Sequence, residues 1–245
     1  MKLKWLLFIL LFLPSSLVSG KVSYQTIVPG LYYRKLELSG GVKLHIFKAD
    51  LSKIKIDAID ARDFKKKAMS AVEMSQKTQA LVVANSNFFS DELEPLGLVI
   101  QAGKIKNPIR PISWWAGFLV HNNQATIRKL AKAEKPNATQ FGLQTGPRLV
   151  INGKVPKLKV ENSPKTAIGI DRQGYVYLIA SAGKIEINEL AKVLVTKEGA
   201  QGVGLRNALN LDGGSSTQLY HKSAQLEVKV SGLSNIPIGI GFFKK

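Results

Sequence analysis

Residues 210–217 hold the densest group of side chains that could do chemistry, and they read Asn-Leu-Asp-Gly-Gly-Ser-Ser-Thr. Alternation along a strand would place Asn210 and Asp212 on the same face. The two glycines that follow let the backbone turn sharply and approach a ligand closely. Exposed amides in such a turn can hold an anion. The pattern therefore indicates a carboxylate beside an anion-binding turn, and a purely structural Asp-Gly turn is the alternative.

A second block, residues 83–89, has the same design and reads Val-Ala-Asn-Ser-Asn-Phe-Phe. A buried strand here would end by presenting Asn85 and Asn87 on one side. Buried amides need hydrogen-bond partners, and sugar hydroxyls or phosphate oxygens would suit them. The alternative is that both asparagines only form a turn.

Four blocks in this order resemble the phosphodiester glycosidase family, whose uncovering-enzyme member removes N-acetylglucosamine from a sugar phosphodiester. The blocks are residues 85–89, residues 95–104, residues 144–153, and residues 165–171 together with 210–217. Bacterial envelope proteins with roles in exopolysaccharide production share this domain. The resemblance implies an exported hydrolase that cleaves a glycosyl phosphodiester or a related envelope glycan.

The resemblance also implies roles for particular residues. Asp212 would be the central catalytic carboxylate. If the reaction uses a second carboxylate, Glu94 is the better candidate because its loop is close in sequence to the asparagine block, and Asp171 is the weaker one because Asp-Arg-Gln-Gly is an ordinary hairpin turn. The residues expected to bind sugar or phosphate are Asn85, Asn87, Gly146, Arg148, Lys165, Thr166, Asn210, Gly213, Gly214, Ser215 and Ser216. A carboxylate can activate water or stabilise the oxocarbenium-like state, and donors or cations are needed on the phosphate.

Two positions depart from the family's pattern. Lys165 stands where the family usually has an arginine, and a lysine neutralises a phosphate without the two-pronged hydrogen bonding of a guanidinium. Ser215 stands where the family often has a third glycine, which would reshape the pocket near the sugar substituent.

Other chemistries are poorly supported by the residue types. The chain has no cysteine, which excludes thiol catalysis and cysteine-based metal sites. His45, His121 and His221 are far apart and lack metal-ligand spacing. No Gly-x-Ser-x-Gly elbow and no phosphate-binding loop followed by lysine occurs. We therefore expect no cofactor, and leave open a divalent cation at Asp212, where too few acids cluster to argue for one.

The elements that would position these residues are mostly short strands joined by tight turns. Strands are predicted over residues 31–38, 42–48, 53–58, 81–84, 98–101, 104–105, 118–121, 125–127, 148–151, 154–155, 167–170, 175–180, 208–211, 218–220, 226–230 and 236–243. Helices are predicted over residues 68–80 and 188–197, the second capped by Asn188 and ended by Gly199. The predicted class is α+β, a single domain of largely antiparallel or mixed sheet with two or three helices.

The first 20 residues have the features of a secretory signal peptide: two early lysines, a short apolar run and small residues at the end. The apolar run is shorter than the ~20 residues that span a bilayer. We therefore predict a leader over 1–20, one domain over 21–245, export to the periplasm or extracellular face of a bacterial envelope, and no stable membrane insertion once the leader is cleaved.

The net charge of +18 favours an anionic partner. Basic and aromatic residues do not interleave as single-strand nucleic-acid binding requires, so a carbohydrate or glycosyl phosphate is expected and nucleic acid is not. Three functional interpretations remain: a sugar-phosphodiester hydrolase, a non-catalytic protein of glycan binding or exopolysaccharide assembly, and a protein that binds anionic polymers or lipid by charge alone.

Overall fold

The computed structural model describes residues 23–245 except 133, 135, 137 and 200, so the predicted leader lies outside the described residues. The first half of the chain forms β1 (Gln25–Val28), β2 (Leu31–Glu37), β3 (Lys43–Ala49), β4 (Ile54–Asp60), α1 (Ala71–Thr78), β5 (Val82–Asn85), β6 (Val99–Gln101), β7 (Lys104–Asn107), β8 (Ala116–His121), β9 (Gln124–Arg128) and β10 (Phe141–Thr145).

The second half completes the sheets and adds the longer helix. Its elements are β11 (Arg148–Val150), β12 (Asn162–Ser163), β13 (Thr166–Ile170), β14 (Val176–Ala182), β15 (Ile185–Glu186), α2 (Ile187–Val195), β16 (Asn207–Asn210), β17 (Leu219–Lys222), β18 (Glu227–Val230) and β19 (Ile238–Lys244). Short 3-10 turns cover Ala61–Phe64 and Gly214–Ser216.

Three main sheets surround the core. One has seven strands in the order β1-β2-β3-β14-β13-β16-β11, and two have five, β7-β6-β10-β8-β9 and β18-β17-β5-β19-β4. The largest apolar cluster joins residues of all three, among them Phe47, Phe118 and Phe242. Helix α2 covers the other face of the seven-stranded sheet, and α1 packs on the outside of the sheet that contains β5.

The predicted antiparallel sheets and two α-helices are confirmed, but the chain is richer in β structure than the class α+β implies. The strand predicted over residues 154–155 is only an isolated bridge between Ile151 and Lys154. All the strand pairings that the structure describes are antiparallel, for example β13 with β14 and with β16. None of the described helices is both long and apolar enough to cross a bilayer.

Helix α2 begins one residue earlier than predicted because a different residue caps it. The Glu186 carboxylate accepts hydrogen bonds from the N–H groups of Asn188 at 3.0 Å and Glu189 at 3.2 Å. A carboxylate at this position accepts hydrogen bonds from the free N–H groups of the first turn, and its negative charge is attracted by the positive end of the helix dipole. The helix ends at Val195, before Gly199, with Thr196 as its C-cap.

The sequence patterns did not predict β1, β10, β12 and β15. Strand β10 lies in the middle of its sheet, between β6 and β8. A glycine at position 142, in the centre of the strand, avoids a close contact, because a Cβ there would lie 2.9 Å from Leu119 Cδ2. A glycine and two polar residues in a five-residue strand conceal the β signal, since the alternation of apolar side chains is lost.

Candidate active site

Asp212 lies where strands from two different sheets meet. It follows the end of β16 and is held by the residues at the end of β5. The Asp212 N–H donates to Ser86 O at 2.9 Å, and Asn85 Nδ2 donates to Asp212 O at 2.6 Å. Both backbone groups of the candidate carboxylate residue are therefore fixed by the Asn-Ser-Asn block.

The turn after Asp212 is built to hold its carboxylate. The Gly213 N–H donates to Asp212 Oδ1 at 2.9 Å, and the Gly214 N–H donates to Pro164 O at 2.9 Å. Gly214 has a φ of +61°, a conformation that favours glycine. These two amides are thus used inside the protein, whereas the sequence suggested that they would bind an anion.

Burial raises the pKa of the Asp212 carboxyl above its usual value, and the negative charge of Glu161 raises it further. Hydrogen bonds from the Ser216 hydroxyl and the Gly213 N–H oppose this effect, because they stabilise the charged form. The net direction is upward, so Asp212 holds its proton to a higher pH than a free aspartic acid does.

Glu161 is a second carboxylate in the same cavity, and it has the opposite environment. Lys165 Nζ donates to Glu161 Oε1 and to Ser163 Oγ, each at 2.6 Å. The hydrogen bond from Lys165 is the main cause that lowers the pKa of Glu161, against the opposing effect of partial burial. The Lys165 side chain is only 1% exposed, whereas that of Glu161 is 58% exposed.

The cavity between these groups has a volume of about 750 Å³, within the usual range for small-molecule sites. Its lining is Phe88, Trp114, Gly146, Pro147, Lys157, Leu158, Lys159, Glu161, Ser163, Ile187, Asn210, Asp212, Gly213 and Gly214. We call this the main cavity. It combines two carboxylates, two exposed lysines and an apolar wall.

An aromatic cluster forms one side of the main cavity. The Trp114 ring lies 6.2 Å from that of Phe88 and 5.8 Å from that of Trp115. Trp114 is 53% exposed, so much of its ring is free to contact a ligand. Gly146 permits the close approach of Trp114, because a Cβ there would lie 2.9 Å from the Trp114 carbonyl oxygen.

Asn210 lines the main cavity as the sequence indicated. Its Nδ2 donates to Leu211 O at 2.7 Å and to Gly146 O at 3.3 Å. Its buried Oδ1 has no hydrogen-bond partner in the described part of the chain. An acceptor of this kind costs free energy unless a water or ligand hydroxyl reaches it.

Several other predicted binding residues lie behind the cavity wall. Asn85 Oδ1 accepts from Thr166 Oγ1 at 2.6 Å, and Asn87 Nδ2 donates to the carbonyl oxygens of Leu98 and Gln144, each at 3.0 Å. Asn85, Asn87 and Thr166 are buried. Their hydrogen bonds join strands of different sheets, so they position the site from outside the cavity.

The remaining predicted residues fall at different depths. Ser215 is exposed, Ser216 is buried next to Asp212, and Arg148 is half-buried on β11. None of the three lines the main cavity, whereas Gly146, Asn210, Gly213 and Gly214 do.

The two candidates for a second carboxylate are not in the main cavity. Glu94 forms an ion pair with Arg62 at 3.0 Å on an exposed loop. Asp171 is buried and accepts from the Tyr175 N–H at 3.0 Å and from the Tyr177 hydroxyl at 3.0 Å. The carboxylate that lines the main cavity together with Asp212 is Glu161, which the sequence patterns did not single out.

The one sequence signal for Glu161 is its short separation, along the chain, from the family-like block that starts at Lys165. It stands four residues before that lysine, but in a stretch without strand or helix periodicity. Trp114, Lys157 and Lys159 were missed for the same reason. In the described part of the chain, no three His, Asp or Glu side chains are grouped so as to hold a metal ion.

The same fold occurs in solved structures of distant relatives. A zebrafish protein, the catalytic domain of N-acetylglucosamine-1-phosphodiester alpha-N-acetylglucosaminidase auto-inhibited by its pro-peptide, is similar with a TM-score of 0.65 and 17% identity, over 88% of this chain and 82% of that one. A hypothetical protein from Synechocystis is similar with a TM-score of 0.62 and 16% identity, over 89% of this chain and 63% of that one.

A Burkholderia pseudomallei protein described as exported is similar with a TM-score of 0.53 and 11% identity, over 82% of this chain and 74% of that one. No curated protein matches the sequence. The model of the phosphodiester glycosidase family matches residues 78–243, which include every residue that lines the main cavity. This match extends over more than half of the chain, which therefore belongs to the phosphodiester glycosidase family.

Proposed function

We propose that this protein hydrolyses the bond between the anomeric carbon of a sugar and a phosphodiester oxygen, with Asp212 and Glu161 as its two carboxylates. The observation that carries the proposal is that both carboxylates line one cavity with different partners: Asp212 accepts from the Gly213 N–H and Glu161 accepts from Lys165 Nζ. The pKa of Asp212 is raised and that of Glu161 is lowered. Burial favours the protonated form of Asp212 and the Lys165 hydrogen bond favours the ionised form of Glu161, so we assign Asp212 as the acid and Glu161 as the base.

The active form in the proposed reaction has Asp212 protonated and Glu161 ionised, and it is populated at pH values below the raised pKa of Asp212. Asp212 donates its proton to the bridging oxygen as the bond from the anomeric carbon to that oxygen breaks. Glu161 takes a proton from a water molecule whose oxygen forms the new bond to the anomeric carbon. The products are the free sugar and a phosphate monoester, and the transition state has oxocarbenium character.

Substrate binding is assigned to residues around this pair. The exposed face of Trp114 suits the apolar face of a sugar ring. Lys157 and Lys159 line the same cavity and bring positive charge to the phosphodiester. The unpaired Oδ1 of Asn210 can accept a hydrogen bond from a sugar hydroxyl.

Lys165 is assigned a positioning role rather than direct contact with the phosphate. It is almost fully buried, and it contacts Glu161 and Ser163. Its hydrogen bond lowers the pKa of Glu161 and orients that carboxylate, and its charge adds to the lowering, so Lys165 acts on the substrate through Glu161.

Action outside the cytoplasm, at a bacterial envelope, is part of the proposal. It rests on the predicted leader over residues 1–20 and on the similar B. pseudomallei protein described as exported. The proposed partner is an anionic carbohydrate and not nucleic acid, which agrees with the +18 charge and the absence of interleaved basic and aromatic residues.

The proposed activity is tested with the purified protein and a panel of sugar 1-phosphodiesters, by measuring the sugar released. Asp212→Asn and Glu161→Gln should each lower kcat by about 10²–10⁴-fold, while Glu92→Gln, which changes an exposed carboxylate outside the cavity, should not. If the wild type releases no sugar but all four proteins bind the glycans equally, the non-catalytic interpretation replaces ours.

Asp212→Asn also has a stability signature that shows that the variant is folded. The raised pKa means that the folded state binds the proton more tightly, so the stabilisation from that proton is lost as pH rises through the folded pKa. The variant lacks the ionised, buried carboxylate and should be at least as stable to denaturant as the wild type near pH 7. That difference should disappear well below the pKa of a free aspartic acid.

A further inference from the structure

A second cavity adjoins the main one across Gly214. It has a volume of about 610 Å³ and lies between the loop around Gly183 and the loop around Gly232. Both cavities have Ser163 and Gly214 in their lining. We call it the side cavity.

No side chain projects from Gly214, which lines both cavities where they meet. No atom lies within 4 Å of the position that a Cβ would take there. The space beside Gly214 is therefore open where the linings of the two cavities meet, next to the residue that follows Asp212-Gly213. The carboxylate pair stands near the junction and not at the closed end of a pocket.

Both cavities carry positive charge in addition to the carboxylates. Lys157 and Lys159 line the main cavity, and Lys184 and Lys229 line the side cavity. Lys184 and Lys229 are exposed and have no ion-pair partner among the residues that the structure describes. No carboxylate lines the side cavity to balance them.

The side cavity also contains an unsatisfied buried hydroxyl. Thr217 lines it and is 3% exposed, and its Oγ1 has no hydrogen-bond partner in the described part of the chain. Asn210 Oδ1 has the same property in the main cavity. A polar group of a ligand that reaches either oxygen would offset the cost of leaving that oxygen unpaired.

From these features we propose that the two cavities form one continuous groove that binds a glycan chain with phosphodiesters on both sides of the scissile bond. The substrate class is then a polymer of sugars joined through phosphate, and cleavage occurs inside the chain. This inference rests on the proposed function, since the carboxylate pair defines the point of cleavage. A substrate with a single diester would fill only the main cavity.

The test compares a poly(glycosyl phosphate) with a short diester of the same sugar that has one phosphate. Lys184→Gln combined with Lys229→Gln should lower kcat/KM for the polymer by about tenfold and leave the short diester unchanged. Lys104→Gln with Lys192→Gln removes the same charge from exposed positions outside both cavities, and should affect neither substrate.

Product sizes give a second measurement. Cleavage within the chain should produce oligomers of intermediate length early in the reaction. Release of single sugars only, or an equal loss of kcat/KM on both substrates in the Lys184/Lys229 variant, would overturn the inference. The short diester could also be hydrolysed while the polymer shows neither a loss of kcat/KM in the Lys184/Lys229 variant nor early oligomers of intermediate length. That result would support the proposed function and contradict the continuous groove.

Binding of the polymer to the Asp212→Asn protein separates the two proposals when no turnover is seen. Loss of this binding on adding the Lys184 and Lys229 changes would support the groove even if the hydrolase proposal failed. Binding that is unchanged by both lysine substitutions would contradict the groove directly.

Discussion

At the scale of single residues, the proposed chemistry depends on how two carboxylates differ. Asp212 is partly buried at the cavity wall and receives hydrogen bonds from a turn, whereas Glu161 is largely exposed in the same cavity and contacts a buried ammonium. A carboxylate loses solvation on burial and then holds its proton, and a nearby cation has the opposite effect. Lys165 thus favours the ionised form of Glu161, whereas burial favours the protonated form of Asp212.

The wild type should show a bell-shaped dependence of kcat/KM on pH. Its acidic limb reports Glu161, whose pKa is lowered, so activity persists below the usual pKa of a glutamic acid. Its alkaline limb reports Asp212, whose pKa is raised, so activity persists above the usual pKa of an aspartic acid and is lost at still higher pH. Lys165→Met should move the acidic limb to higher pH, because the main cause of the lowered Glu161 pKa is gone.

Lys165→Arg is the matched control for this prediction, because it retains the positive charge and introduces the residue that the family usually has at this position. Its acidic limb should stay near that of the wild type, even if the larger side chain lowers stability in a fully buried place. An acidic limb that stays in place in both variants would show that Lys165 has only a structural role.

At the scale of elements, the site depends on a hydrogen-bonded junction between two sheets. Asn85 at the end of β5 donates to Asp212 O, and its Oδ1 accepts from Thr166 Oγ1 and from the Gln218 N–H at 3.1 Å. One buried amide thus connects β5, β13 and the segments on both sides of the Gly214 turn. It fixes the position of Asp212 without entering the cavity.

Asn85→Ala should therefore lower both stability and turnover. It leaves three buried groups without their partners, and we expect a loss of roughly 2–4 kcal/mol in the free energy of unfolding. Denaturant unfolding measures this loss, and Gln124→Ala, which removes an exposed amide, should change stability by less than about 0.5 kcal/mol. A variant of normal stability that fails only in glycan affinity would instead show that Asn85 binds substrate directly.

The elements also show what the sequence could reveal. Local signals sufficed for Asp212, for the Asn-Ser-Asn block and for most strands, because strand alternation and turn residues lie within a few positions of one another. Glu161 could not be found in this way. Its place depends on the β12–β15 pairing and on the bond from the Ile187 N–H to Glu161 O at 3.0 Å, both of which connect distant segments.

The same reason explains the asparagines. The sequence indicated that Asn85 and Asn87 need partners, but not whether these would be sugar hydroxyls or backbone groups. Only the meeting of β5 with β13, β16 and β10 decides it, and pairing between distant strands is not encoded by a local pattern.

At the scale of the whole molecule, the net positive charge bears on how the protein attracts its proposed substrate and not on which fold it adopts. A net charge of +18 creates a potential that extends beyond any single contact and attracts anionic chains toward the protein. The four lysines of the continuous groove add a local contribution next to the carboxylate pair. Long-range attraction accelerates encounter, whereas the bound substrate is held by short-range contacts that salt screens much less.

This difference predicts how salt affects each kinetic constant. The kcat/KM for an anionic phosphodiester should fall several-fold as ionic strength rises from about 0.05 M to 0.5 M, because the Debye length shortens from ~14 Å to ~4 Å. The kcat should change little, since the bound complex is already formed. An uncharged glycoside of the same sugar, used as a control for general salt effects, should show no such fall in kcat/KM.

The same series of ionic strengths distinguishes a groove with a sugar-binding wall from binding by charge alone. A protein that only attracts polyanions would lose all of its glycan affinity in high salt and would respond equally to removal of any surface lysine. For a groove with a sugar-binding wall, Trp114→Ala should lower the affinity that remains at high salt by about tenfold, because contact with an aromatic ring is apolar and insensitive to ionic strength. Residual affinity that is unchanged by Trp114→Ala would remove the aromatic wall from the proposed binding site.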